Sequence, residues 1–183
     1  NSAISKAAEV YGEIHILFNN AGHGAAGDFP ESTTEDWNTV INDNLNGTFF
    51  VSRAVWPYMV NSGGGAIVNM SSLAAQRGFS PKMKEEFGTT APSYYVAKAG
   101  IDALTRYMAG VGGDKNIRVN SLSPGGVFNG QPGDFVKRLS NLIPMGRMAN
   151  RDEYKGAVVF LCSDASSYMT GENIVMNGGR AAW

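Results

Sequence analysis

The spacing of apolar residues at the start of the chain predicts a helix followed by a strand. Four apolar residues share one helical face and a glycine follows them: Ile4, Ala7, Ala8 and Tyr11, then Gly12. Residues 15–19 (HILFN) form a short apolar run between glycines. We therefore expect a helix that ends near Gly12 and a buried strand at 15–19.

A second helical pattern covers residues 33–57. Apolar side chains recur every fourth residue in this stretch, at Trp37, Ile41, Leu45 and Phe49. Ser32 and Glu35 have the spacing of a capping box, which predicts that the helix begins after Ser32. Pro57 is expected near the end of the helix or at a kink in it.

The rest of the chain alternates strand and helix patterns. Strands are predicted at 66–72, 116–122 and 173–179, and helices at 94–111, 131–143 and 150–162, the last capped by Asn150 with Glu153. Residues 73–92 are predicted to be irregular. Strands separated by single helices indicate right-handed crossovers and a parallel α/β sheet. No linker or repeat interrupts the pattern, so we interpret residues 1–183 as one domain.

Composition narrows the possible functions. The 183 residues include 43% apolar and 17% charged side chains, with a net charge of −1. This balance offers no basic face for nucleic acid, and no apolar run approaches the roughly 18 residues of a membrane span. One cysteine, Cys162, excludes an internal disulfide and indicates a reducing compartment, the cytoplasm. Two histidines give little support for a metal site.

Gly22, Gly24 and Gly27 spell G-x-G-x-x-G directly after the first strand. This pattern can hold a dinucleotide pyrophosphate when a helix begins at once. Here Pro30 and the predicted cap at Ser32 delay the helix, and Asp43 falls inside it rather than after a second strand. We therefore expect a glycine-rich loop beside a cleft and not a phosphate loop.

The candidate chemistry lies at the start of the helix at 94–111. Tyr94 and Lys98 are four residues apart and share a helix face, and an ammonium beside a phenol lowers the pKa of a tyrosine. Tyr95 is also within reach of Lys98, so the spacing does not choose between the two tyrosines. Ser72 and Asn44 also have ordinary structural interpretations, as a turn former and as a buried amide bonded to backbone.

Six motifs occur in the order seen in the short-chain dehydrogenase/reductase family. They are ILFNNAG (16–22), NLNGTF (44–49), IVNMSS (67–72), YYVAK (94–98), IRVNSLSPGGV (117–127) and SSYMTGENIVMNGG (166–179). The chain resembles this family along almost its whole length. The resemblance implies a Rossmann-like, doubly wound parallel sheet and hydride transfer between NAD or NADP and a small-molecule alcohol or carbonyl compound.

The resemblance also implies a role for each matching residue. Tyr94 is expected to be the acid/base, Lys98 to hold the nicotinamide ribose and Ser72 to orient the reacting oxygen. Asn44 is expected to hold a water in a proton relay. The expected cofactor-binding residues are Asn20, Ala21, Gly22, Tyr94, Lys98, Pro124, Gly125 and Val127. A homo-oligomer, a tetramer or dimer, is also implied, with contacts through the helix at 33–57, the next helix and the region near the C-terminal strand. The apolar pattern of the helix at 33–57 alone fits packing within one chain equally well.

The chain departs from the family at its beginning and in one loop. Only 18 residues precede Asn19, so the resemblance implies that roughly 60–80 residues, the first βαβαβ portion, are missing. A choice between NAD and NADP is therefore not predicted. Ser72 and Tyr94 are unusually far apart, and residues 76–91 are interpreted as a substrate-side loop. The substrate suggested is of sugar or nonulosonate type. The alternative is a non-enzymatic remnant or an oligomerisation scaffold with weak or no cofactor binding.

Overall fold

The computed structural model describes residues 2–79, 81–88 and 90–182. The strands are β1 (Ile16–Asn19), β2 (Gly65–Met70), β3 (Ile117–Pro124) and β4 (Asn173–Met176). The helices are α1 (Ser2–Tyr11), α2 (Thr34–Ile41), α3 (Gly47–Asn61), α4 (Pro81–Phe87), α5 (Pro92–Gly112), α6 (Gly133–Ser140) and α7 (Lys155–Cys162). All four strands therefore lie where the sequence patterns predict them.

The four described strands form one parallel sheet in the order β1–β2–β3–β4. In the register of β1, β2 and β3, Leu17 lies beside Ile67, and Ile67 lies beside Val119. The prediction of a Rossmann-like α/β fold is confirmed. β1 lies at one edge of this sheet, where Ile16 is 53% exposed, so this apolar strand is not fully buried.

Helices cover both faces of the sheet, and each face has its own hydrophobic core. On one face, α3 and α5 pack through Val55, Met59 and Met108 onto Ile67 and Val119. On the other face, α7 packs through Leu161 onto Val68 and Leu122. Neighbouring residues of one strand point to opposite faces, which is why Ile67 and Val68 belong to different cores.

The last crossover differs in hand from the two before it. Each connection from β1 to β4 steps to the next strand in the same direction across the sheet. The helices α3 and α5 lie on one face, whereas α7, which precedes β4, lies on the other. Connections on opposite faces that step the same way have opposite hands, so the prediction that every crossover is right-handed is wrong for one of them.

The long helix predicted at 33–57 is divided into two α-helices by a π-helical turn at Asn42–Asn46. The N-cap of α2 is Thr33, whose hydroxyl accepts the Asp36 backbone N–H at 3.1 Å, and not Ser32, whose hydroxyl donates to the Asp28 carbonyl. α3 continues past Pro57 to Asn61. The predicted capping box of Ser32 and Glu35 is therefore wrong by one residue.

The segment predicted as irregular at 73–92 contains helix α4 and a short 3-10 turn at Leu73–Ala75. Ser80 and Thr89 of this segment lie outside the described residues. The capping box of Asn150 and Glu153 is confirmed, although the first turn that it caps is 3-10 before α7 begins. Within the described residues, no helix combines the length and apolar character needed to cross a bilayer.

Candidate active site

Tyr94 and Lys98 lie in the first two turns of α5, which Pro92 opens at its first position. The Nζ atom of Lys98 lies over the Tyr94 ring, 5.6 Å from its centroid. Tyr95 turns elsewhere and packs edge-on against Phe79 with ring centroids 6.2 Å apart. The structure therefore brings Lys98 to Tyr94, the tyrosine that the family motif designates.

Lys98 is a buried amine held at the end of the sheet. Its side chain is 4% exposed, and Nζ donates to the Met70 carbonyl at 2.8 Å, where β2 ends. Burial lowers the pKa of Lys98 to about 8, partly offset by the negative charge of Asp102. An ammonium has three N–H donors and the Met70 carbonyl takes one, so two remain for other groups.

Asn44 enters the same site from the π-helical turn between α2 and α3. Its side chain is fully buried, and Nδ2 donates to the carbonyls of His23 and Val40, each at 2.9 Å. Its Oδ1 atom has no hydrogen-bond partner among the described residues. A buried amide oxygen without a partner is costly, so this atom marks a place for a donor that the chain itself does not supply.

The loop after β1 lies across these groups. A Cβ atom on Gly22 would overlap Asn44 Oδ1 and would lie 3.6 Å from Lys98 Nζ. A Cβ atom on Gly24 would lie 3.8 Å from the Tyr94 ring. Absence of side chains at both glycines therefore keeps the space above Asn44, Lys98 and Tyr94 open.

Ser72 lies just beyond the end of β2, two residues after the carbonyl that holds Lys98. Its hydroxyl oxygen accepts the Ala74 backbone N–H at 3.1 Å and so caps the short 3-10 turn. This is the structural role that the sequence also allowed. The bond uses the hydroxyl as an acceptor and leaves its proton available as a donor.

Three of the expected cofactor-binding residues line one cleft of about 610 Å³ at the carboxyl ends of the strands. These are Asn20, Pro124 and Val127, and they are joined by Phe18 and Met70. Gly125 lies at the same rim, where a Cβ atom would lie 2.8 Å from Asn177 Cα. Ala21 is exposed in the loop between Asn20 and Gly22. Ligands of open α/β sheets bind at this end of the strands.

The structure also contains a buried polar network that the sequence did not reveal, on the face of the sheet that α3 and α5 cover. Asn19 Nδ2 donates to Asn69 Oδ1 and to Ser52 Oγ, each at 2.9 Å, and Asn69 Nδ2 donates to Thr105 Oγ1. The network joins β1, β2, α3 and α5. The signal available in the sequence was an asparagine near the end of each apolar strand, where a valine or isoleucine is usual.

The glycine-rich loop does not have the geometry of a phosphate loop, as expected. α2 begins at Thr34, and Asp43 lies in the π-helical turn, where its carboxylate meets His23 Nε2 at 2.9 Å. The hydrogen bond to Asp43 raises the pKa of His23. No group of three or more potential metal-ligating side chains occurs within residues 2–79, 81–88 and 90–182.

Comparison with known proteins gives consistent matches along the chain. The family model described as enoyl-(acyl carrier protein) reductase matches residues 1–181. An acetoacetyl-CoA reductase of Allochromatium vinosum is 39% identical over 180 residues, which are 96% of this chain and 70% of that protein. A D-threitol dehydrogenase of Mycolicibacterium smegmatis is 35% identical over 186 residues, 97% of this chain and 67% of that protein.

Solved structures also match the fold along almost the whole chain. A gluconate 5-dehydrogenase of Burkholderia cenocepacia in complex with NADP and tartrate has a TM-score of 0.90 at 28% identity, covering 100% of this chain and 70% of that one. A short-chain dehydrogenase of Leptospira borgpetersenii with bound NAD+ also has a TM-score of 0.90, at 33% identity, covering 98% of this chain and 69% of that one.

Proposed function

The chain belongs to the short-chain dehydrogenase/reductase family, and we propose that Tyr94 is the group that exchanges a proton with the substrate. As a member it is an oxidoreductase that acts on CH–OH or carbonyl groups with NAD or NADP. The observation that carries the proposal is the convergence of Tyr94, the buried amine of Lys98 and the unpartnered oxygen of Asn44 beneath a loop without side chains.

The residues present fit a nicotinamide nucleotide. The cleft beside Pro124 and Val127 offers an apolar wall for a flat ring, and two N–H donors of Lys98 remain for ribose hydroxyls. The Oδ1 atom of Asn44 is a buried acceptor for a water or a hydroxyl group. When bound, the nucleotide supplies or accepts the hydride.

Residues of the chain itself transfer the proton between the substrate oxygen and solvent. In the direction of reduction, Tyr94 donates its phenolic proton to the carbonyl oxygen, and the positive charge of Lys98 stabilises the phenolate that is left. Ser72 donates its hydroxyl proton in a hydrogen bond to the same oxygen and orients it. Asn44 holds the water through which the phenolate is reprotonated. In the direction of oxidation these steps run in reverse.

The substrate proposed is a small secondary alcohol or carbonyl compound of sugar or nonulosonate type. The relative named for D-threitol supports a sugar-type substrate. We further propose a cytoplasmic homo-oligomer. It is supported by the free thiol of Cys162, which suits a reducing compartment, and by the exposed aromatic side chains of Phe49 and Phe50 on α3.

The test is turnover of ketones with NADH and NADPH by the wild-type chain and three tyrosine variants. We expect Tyr94→Phe to lower kcat by about 10²–10⁴-fold without weakening cofactor binding. Tyr107→Phe, at an exposed tyrosine of the same helix, is the matched control and should be unchanged. If Tyr95→Phe abolishes turnover while Tyr94→Phe retains it, the assignment of Tyr94 is wrong. Absence of cofactor binding by the wild-type chain in calorimetry would favour the scaffold alternative.

A further inference from the structure

A buried carboxylate lies one helical turn beyond Lys98 on α5. It belongs to Asp102, whose side chain is 8% exposed. Lys98 and Asp102 are four residues apart, so they share one face of the helix. An aspartate is rarely buried unless its charge is compensated. Asp102 takes no part in the proton transfer at Tyr94, so its burial has another reason.

Two neutral donors hold the Asp102 carboxylate, one on each oxygen. The Ser121 hydroxyl of β3 donates to Oδ1 and the Asn173 amide of β4 donates to Oδ2, each at 2.9 Å. An ionised carboxylate accepts at both oxygens, whereas a protonated one carries an O–H that needs an acceptor of its own. The arrangement therefore favours the negative form. The next charged side chain along α5 is Arg106, which is exposed.

The sheet brings the charges of Lys98 and Asp102 to neighbouring places. Lys98 Nζ donates to the carbonyl of Met70, which lies beside Leu122 in the register of β2 and β3. Ser121, which holds the Asp102 carboxylate, is the residue before Leu122. Strands are about 4.8 Å apart and residues about 3.3 Å, so the Cα atoms of Met70 and Ser121 are about 6 Å apart. Opposite charges that are anchored so close together in buried surroundings attract each other.

The other groups that face Lys98 do not supply a negative charge of this kind. On α5 the Tyr94 ring lies under Nζ, 5.6 Å from its centroid. From β2 and the π-helical turn Lys98 meets a backbone carbonyl and the Asn44 amide, which are both uncharged. Asp43, beside Asn44 in that turn, has its carboxylate on a histidine of the loop after β1. The Asp102 carboxylate is therefore the counter-charge of the buried ammonium.

The charge of Lys98 depends on the balance between burial and this attraction. Burial lowers the pKa of Lys98 to about 8, and the negative charge of Asp102 opposes the shift. A still lower pKa would leave the amine uncharged over more of the neutral pH range, and an uncharged amine does not stabilise the phenolate of Tyr94. Loss of the Asp102 charge should therefore deprive Tyr94 of its cation at a lower pH than in the wild-type protein.

We propose that Asp102 is a positioning residue that keeps Lys98 in its ammonium form and so sets the alkaline limit of the reaction at Tyr94. This inference rests on the proposed function and adds a residue to it. Asp102 acts through Lys98, one turn away, and not on the substrate. The competing role is purely structural, in which the hydrogen bonds of Asp102 only tie α5 to β3 and β4.

The first experiment follows the titration of Lys98 itself by NMR, in protein with ¹³C at the lysine Cε atoms. The signal that is absent from Lys98→Met identifies Lys98. We expect Asp102→Asn to move its titration midpoint to lower pH by about one unit, and Asp102→Glu to restore the midpoint at least in part. Ser121→Ala is the matched control, because it removes a hydrogen bond of Asp102 and keeps the charge. An equal midpoint in the wild type and Asp102→Asn would overturn the proposal.

A double-mutant cycle of Lys98→Met and Asp102→Asn covers the case in which Asp102→Asn alone is unstable. Urea unfolding of the four proteins at pH 7 and pH 9.5 gives the interaction between the two side chains. It should fall by more than about half at pH 9.5, where folded Lys98 is largely uncharged. If Asp102→Asn does not fold, the double variant should fold, because both charges are removed together. An interaction that is equal at both pH values, or a double variant that also fails to fold, would show a purely structural role.

Turnover separates this proposal from the proposed function. The alkaline limb of kcat against pH should move to lower pH in Asp102→Asn and stay in place in Ser121→Ala. If the Lys98 midpoint moves and the limb of kcat does not, the proposal is wrong and the proposed function stands. If even the wild type reduces no ketone, the proposed function fails, and the titration alone decides whether Asp102 keeps Lys98 charged.

Discussion

Replacement of Lys98 by methionine should change the pH dependence of stability in a calculable way. Lys98 is 4% exposed, and burial of its charged form lowers its pKa from the ordinary 10.5 to about 8. The folded protein therefore holds this proton less tightly than the unfolded chain does. The energetic cost of burying the ammonium is fully present below pH 8 and disappears as the pH rises through 10.5, where the unfolded chain also loses the proton.

The size of the effect follows from the two pKa values. The difference between 10.5 and about 8 corresponds to about 3 kcal/mol, of which about 2 kcal/mol disappears between pH 7 and pH 9.5. Over that interval the free energy of unfolding of the wild-type protein should rise by about 2 kcal/mol relative to that of Lys98→Met. The methionine variant also leaves the Met70 carbonyl without its donor, but this cost is the same at both pH values.

The assay is urea unfolding of wild type and Lys98→Met at pH 7 and pH 9.5. Lys6→Met removes an exposed lysine from α1 and is the control, with no change in relative stability between the two pH values expected. The free energies of unfolding of wild type and Lys98→Met are compared at each pH. If their difference is the same at pH 7 and pH 9.5, the inference that burial lowers the pKa of Lys98 is refuted. Turnover of Lys98→Met should be lost even where its stability is higher.

Two further substitutions test local geometry. Gly22→Ala places a Cβ atom against the buried Asn44 Oδ1 atom and should lower both cofactor affinity, measured by calorimetry, and turnover; unchanged values would show that the loop yields. Thr33→Ala should destabilise the protein by about 1 kcal/mol in urea unfolding, because Thr33 caps α2, whereas Ser32→Ala should cost clearly less. A larger destabilisation by Ser32→Ala than by Thr33→Ala would show that Ser32 is the N-cap.

Elements with a strong local signal were predictable from the sequence. The strands follow from short apolar runs between glycines. The position of Tyr94 and Lys98 on one face of a helix follows from their spacing and the period of a helix. Local signals fail where two neighbours compete for one role. Ser32 and Thr33 are both good N-caps, and the choice is made by the Asp28 carbonyl, which takes the Ser32 hydroxyl.

The long-range contacts of the site were not predictable in the same way. The partner of Lys98 is a backbone carbonyl, and every residue has one, so the sequence contains no sign that Met70 provides it. Asp102 and Asn173 are 71 residues apart in the chain and meet only through the fold. The opposite hand of the last crossover depends on which face α7 covers, and its apolar pattern suits either face.

The π-helical turn at Asn42–Asn46 is a local one-residue insertion that holds Asn44 in the site between two α-helices. Its i→i+5 bond, from the Gly47 N–H to the Asn42 carbonyl, encloses one residue more than an α-helical bond. Because the wider turn takes up this extra residue, deletion of one residue here would allow a continuous α-helix that keeps α3 in nearly the same rotation against α2. Val55 and Met59 would stay against the sheet, whereas the direction in which the turn holds the Asn44 side chain would change, so the deletion would alter the site and leave the core in place.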